Sequence, residues 1–142
     1  MKVTAFVLLL VGFIVGLTAC VANSKTEILL RFTLRVIDIP CKDVLNSIPV
    51  KLKQRDIPSV WINENAGTLS VGPFTEKSEL GEVYSMIRHA YELSITCASE
   101  LSTKMTGTAA LEGLNADNKW VPITDAQTVD DVALKFLRSL NL

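Results

Sequence analysis

Apolar and polar residues alternate from Ile28 to Ile39 (ILLRFTLRVIDI). Ile28, Leu30, Phe32, Leu34 and Val36 fall on one face, and Arg31, Thr33 and Arg35 on the other. That period of two is the mark of a half-buried strand, which Pro40 ends. From Cys41 to Arg55 the spacing changes to that of a helix, with Val44, Leu45, Ile48 and Leu52 in phase. Pro49 is expected to kink or interrupt it, because proline lacks the backbone donor and clashes one turn back. Ser59-Val60-Trp61-Ile62-Asn63 and Thr68-Leu69-Ser70-Val71-Gly72 then flank Glu64-Asn65-Ala66-Gly67, which predicts a hairpin between Pro58 and Pro73. Residues 76–90 carry Leu80, Val83, Tyr84 and Ile87 at helical spacing, continued by Tyr91, and a helix is favoured there. Gly81 opposes it, and a strand from Val83 onward is the alternative.

Alternation returns at Tyr91, Leu93, Ile95 and Cys97, and again at Thr103, Met105, Gly107, Ala109 and Leu111, so a second strand pair turns at Ser99-Glu100. After the polar loop Gly113–Lys119, Trp120-Val121-Pro122-Ile123 brings apolar bulk back to the core. Val129, Val132, Ala133, Phe136, Leu137 and Leu140 form the clearest helical stripe in the chain. Thr128 is placed to cap it, Asp130 and Asp131 suit its positive end, and Asp131 pairs with Lys135 one turn on. The result is an α+β domain: an antiparallel sheet of about five strands with two or three helices on one face, in the order β-α-β-β-(α)-β-β-α.

Ahead of this domain, Lys2 precedes an apolar run from Val3 to Leu17 and then small residues, the layout of a signal peptide. The run that ends it, Leu17-Thr18-Ala19-Cys20, resembles a bacterial lipobox. The resemblance implies cleavage before Cys20 and acylation of that cysteine, whose two or three acyl chains suffice for stable anchoring. It divides the chain into a signal peptide (1–19), a lipidated tether (20–26, with VANSKT after the cysteine) and a domain (27–142). An uncleaved membrane helix over Val3–Ala22, or an ordinary signal peptide cut near Ala19 or Ala22, are the competing readings. Val21, with no Asp just after Cys20, implies export to a periplasm-facing outer membrane in a Gram-negative host.

Lys2 is the only charged side chain among residues 1–19, so processing removes one positive charge from a formal total of −1. A near-balanced domain has no basic field, which argues against nucleic acid as a partner. With Cys20 acylated, Cys41 and Cys97 remain in a compartment that permits disulfides. A disulfide and a pair of buried thiols both fit, and a Cys nucleophile with His89 as its base is a third reading.

Two further resemblances concern the domain. The run Asp43–Gly67 (DVLNSIPVKLKQRDIPSVWINENAG), a long hairpin, a Trp near its end and a terminal amphipathic helix are similar to the helix-grip domains of small envelope lipoproteins. That group includes the C subunit of the outer-membrane barrel-assembly machinery. It implies a binding or assembly-accessory role for an envelope partner, without catalysis. Separately, Val71-Gly72-Pro73-Phe74-Thr75 resembles part of a sporulation-related (SPOR) domain, which implies binding to peptidoglycan glycan strands. The first strand lacks the usual opening motif of that family, and some forty residues extend past where such domains end.

Little else points to chemistry. His89 is the only histidine and, beside Arg88, reads as a surface or rim residue. Glu76, Glu79 and Glu82 could gather carboxylates for acid–base or calcium chemistry, but a solvated acidic helix face with Lys77 and Arg88 explains them. No Gly-rich phosphate loop, Cys-x-x-Cys pair or nucleophile elbow is present, so no cofactor, metal or catalytic set is expected. A cell-envelope hydrolase is the least favoured reading. Trp61, with Gly72 and Phe74, is the candidate surface for a partner or glycan, either as an outward stacking ring or packed under a helix.

Overall fold

A computed structural model describes residues 30–142 of the protein; the signal-like segment, Cys20 and the tether lie outside the described residues. The elements run β1 (Leu30–Ile37), α1 (Cys41–Gln54), β2 (Ser59–Asn63), β3 (Thr68–Lys77), β4 (Met86–Ser99), β5 (Ser102–Leu114), β6 (Trp120–Pro122) and α2 (Ala126–Ser139). The six strands form one sheet in the order β1-β5-β4-β3-β2, with β6 continuing beside the far half of β5. Every pairing is antiparallel. The sheet thus has one strand more than the alternation predicts, because Trp120–Pro122 is too short to show a period.

Both helices lie on the same face of the sheet. Val44, Ile48 and Leu52 of α1 and Val129, Ala133, Phe136 and Leu137 of α2 meet Phe32, Leu69, Val71, Tyr91, Leu93, Ile95, Met105, Ala109 and Leu111 in one buried cluster. The opposite face carries short polar residues and charges, among them Thr33, Thr106 and Ser94 in one cross-strand row. One inner row runs Phe32–Gly107–Leu93–Leu69, and the missing side chain at Gly107 leaves room for the Phe32 ring. A Cβ at Gly107 would stand 2.7 Å from Phe32 Cζ and 2.6 Å from the Glu92 carbonyl oxygen. None of the helices among the described residues is long and apolar enough to cross a membrane.

Four expectations need correction. Residues 76–90 are not a helix: β3 runs to Lys77, residues 78–85 form a turn-rich connection, and β4 begins at Met86. Ile87 and Tyr91 lie four apart, and four is close to one helical turn and also twice the strand repeat, so the spacing suited both. Pairing with β3 and β5 supplies the backbone partners, and the connection is closed by Ser78 N–H donating to Ser85 C=O and Leu80 N–H to Ser78 Oγ. Secondly, Pro49 does not interrupt α1, which runs through it to Gln54. Thirdly, α2 starts before Thr128. Asp125 is the cap, and its Oδ2 accepts from both Thr128 N–H and Thr128 Oγ–H. Fourthly, Lys135 pairs with Glu79 rather than with Asp131, which accepts instead from Gln127.

The disulfide between Cys41 and Cys97 joins the first residue of α1 to the end of β4, with Cα atoms 5.6 Å apart. It spans 56 residues of sequence. Cys41 N–H also donates to Glu100 C=O, so the helix start is tied to the β4–β5 turn through both backbone and side chain.

Candidate functional site

The most unusual group of side chains gathers where β3, β4 and α2 meet. On β4, the in-phase residues Ile87, His89 and Tyr91 point to the helices. On β3 the alternation changes phase. Val71 pairs with Tyr91 and Phe74 with His89, so three steps on β3 match two on β4. This bulge at Gly72-Pro73 turns Phe74 and Glu76 inward, where an unbroken strand would present Thr75 and Lys77. Gly72 supplies the positive φ of +96° that the bulge requires.

Phe74 and His89 stack face to face, with ring centres 4.7 Å apart and planes inclined by 6°. Tyr91 stacks on Phe136 of α2 at 5.0 Å and 1°. His89 is 3 % exposed, and its Nδ1 lies 2.7 Å from the Tyr91 hydroxyl. Above the rings, the Arg55 guanidinium lies 5.4 Å from the Phe136 centroid, donates to Glu76 Oε1 at 2.7 Å and reaches Ser139 Oγ at 2.6 Å. The second Glu76 oxygen stands 3.9 Å from His89 Nε2. Glu76 thus faces a cation on one side and an imidazole on the other.

Burial pushes the His89 pKa down from 6.5 to about 4, and the Arg55 charge adds to the shift. The ring is therefore neutral near pH 7. Burial, and after it the Glu76 charge, pushes the Tyr91 phenol well above its ordinary value, so it stays protonated. A cavity of about 410 Å³ opens beside this group, lined by Ile87, His89 and Glu76 from the sheet and by Val132 and Phe136 from α2.

His89 is therefore buried and not a rim residue. The signal was present in Ile87-His89-Tyr91-Leu93-Ile95, where the histidine falls in step with four buried apolar residues. Reading the segment as a helix hid it. Among the described residues His89 has no free thiol for a partner either, since Cys41 and Cys97 are joined to each other. Glu76 and Glu79 do not cluster; they go to Arg55 and Lys135 respectively. Glu82 lies exposed in the connection between β3 and β4. Trp61 and Phe74 are both half-buried against the core, and Gly72 belongs to the bulge, so the three do not make one open platform.

A second feature lies at the sheet's edge. Beyond β2 no strand follows among the described residues, and its five residues, Ser59–Asn63, carry no charge. Trp61 packs inward, while Val60 and Ile62 are 64 % and 56 % exposed. Edge strands ordinarily carry charges, prolines or covering segments that discourage further pairing. Pro58 stands just before β2, but the strand itself has none. No family model matches the chain, and no curated protein matches it in sequence.

Proposed function

We propose that the protein is a lipid-anchored, non-enzymatic module of the bacterial cell envelope. It serves an envelope protein partner, an uncharged extended segment of which adds to the β2 edge. The observation that carries this reading is the uncharged edge itself, with two exposed apolar side chains beside unpaired backbone groups. Strand addition draws affinity from main-chain hydrogen bonds and specificity from side chains on alternate positions. Val60 and Ile62 offer the apolar positions on one side. Anchoring through Cys20 would confine the domain to a membrane surface and raise its effective concentration near partners there.

Other features support the reading. The Cys41–Cys97 disulfide suits a compartment outside the cytoplasm. A terminal helix laid on one face of an antiparallel sheet agrees with the helix-grip resemblance. The one hydroxyl bonded to the buried histidine is that of Tyr91, which burial keeps protonated, and among the described residues no serine, threonine or cysteine side chain bonds to the ring, which favours binding over catalysis.

Photo-crosslinking residues placed at Val60 and Ile62 in native envelopes should yield an adduct with one envelope protein, and the same probe at Val50, exposed on α1, should not. Adducts from none of the positions, or equally from all three, would refute edge docking. Val60→Lys should abolish the adduct formed from Ile62, and Ile62→Lys the adduct formed from Val60, while leaving the fold intact. Palmitate incorporation should disappear with Cys20→Ala; if it persisted, the anchor would lie elsewhere. The peptidoglycan alternative loses its platform through the half-burial of Trp61 and Phe74, and retention on purified sacculi would restore it.

A further inference from the structure

The cavity under α2 carries an inference independent of the β2 edge. It begins with one proton. Among the described residues, His89 Nδ1 is the only hydrogen-bond partner of the Tyr91 hydroxyl. We assign the proton of this bond to the hydroxyl, which donates to Nδ1, and the ring's own proton to Nε2, because this tautomer turns an N–H rather than a lone pair toward the Glu76 carboxylate. Among the described residues that N–H has no hydrogen-bond partner: Glu76 Oε2 stands 3.9 Å away, beyond hydrogen-bond reach, and His89 lines the cavity. Arg55 holds the other Glu76 oxygen and keeps the carboxylate from closing the gap.

The space in front of this pair is about 410 Å³, far more than one water needs and within the range of small-molecule sites. Its walls are Ile87, Val132 and Phe136. Its charges cancel, with Arg55, Lys77 and Lys135 against Glu76, Glu79 and Asp131. Arg55 and Lys135 are already paired, so the cavity offers an anionic head no strong advantage. The group best able to span donor and acceptor is one that both accepts and donates. An oxygen at about 2.8 Å from each would subtend an angle of about 90° between them, which a hydroxyl tolerates.

We propose that this cavity binds an uncharged apolar molecule through a hydroxyl, which accepts from His89 Nε2–H and donates to Glu76 Oε2. Its apolar body rests against Ile87, Val132 and Phe136. Cyclohexanol is a suitable probe, set beside cyclohexane, cyclohexanecarboxylate and cyclohexylammonium, with the full chain in lipid nanodiscs. Methyl NMR of Ile87 and Val132, and the ¹⁵N shift of His89 Nε2, report occupancy of the site. Cyclohexanol should shift these signals saturably and bind at least tenfold more tightly than the other three probes. His89→Phe, which can keep the stack on Phe74 but lacks the donor, should weaken binding at least tenfold. Val132→Trp fills the cavity from α2 without touching the polar pair, and should weaken binding equally, so the test stands even if the first variant does not fold. Absence of saturable shifts, equal affinity for cyclohexane, tighter binding of either charged probe, or unchanged binding in Val132→Trp would overturn the proposal.

Discussion

The neutral, buried His89 should make stability depend on pH between about 4 and 6.5, a window that lies mostly above the ordinary carboxylate range. In the unfolded chain its imidazole takes a proton below about pH 6.5; in the folded chain it resists until about pH 4. As pH falls through that interval the unfolded state binds more protons than the folded one, so stability drops with falling pH and is complete above about pH 6.5. A gap of this size corresponds to about 3 kcal/mol once both values are passed, and to about 2 kcal/mol between about pH 7.5 and pH 5. Arg55 deepens the effect by repelling the imidazolium, while Glu76 at 3.9 Å opposes it. Urea unfolding at a series of pH values, with the disulfide intact, measures the loss directly. By melting, 2 kcal/mol corresponds to a fall of roughly 8 °C in a domain of about a hundred residues. His89→Phe should flatten the curve over the same interval, because the chain has no second histidine. A flat wild-type profile, or an equal slope in the variant, would refute the assignment of a buried neutral imidazole.

Three further outcomes are expected. Cys41→Ser with Cys97→Ser, or reduction of the wild type, should lower the unfolding free energy by about 4 kcal/mol, the chain-entropy value for a loop of this length, as read by denaturation with and without reductant. Thr103→Val should raise stability by about 1 kcal/mol in the same assay, since the Thr103 hydroxyl is fully buried without a partner and valine keeps the shape. Gly67→Ala should cost about 2 to 3 kcal/mol, because φ is +67° there and a Cβ would collide with the Ile95 carbonyl oxygen; a variant as stable as wild type would refute this backbone assignment.

Elements bounded by clear periods could be read directly from the residues. β1, the β2–β3 hairpin, the β4–β5 pair and α2 all follow from period-two or helical spacing, and their inward residues are largely those the spacing selects. The candidate site was not legible in the same way. Its formation depends on the phase change at Gly72-Pro73, which brings Phe74 and Glu76 to the inner face, and on Arg55 arriving from the end of α1. Neither is a local periodic signal. The Cys41–Cys97 link was one of three open readings, because pairing depends on the approach of α1 to the end of β4. Trp61 also left two faces open, and the core claims it.

The bulge in β3 makes the cavity lining a matter of reading frame. Single substitutions at Phe74 or Glu76 change one wall at a time, but a side chain at Gly72 that straightened the bulge, with no residue lost, would exchange both at once for Thr75 and Lys77. A ring and a carboxylate would give way to a hydroxyl and an ammonium beside His89, with Arg55 stripped of its partner. A change at the single residue Gly72 would thus turn a cavity of balanced charge into one that favours an anion, while every other strand kept its register.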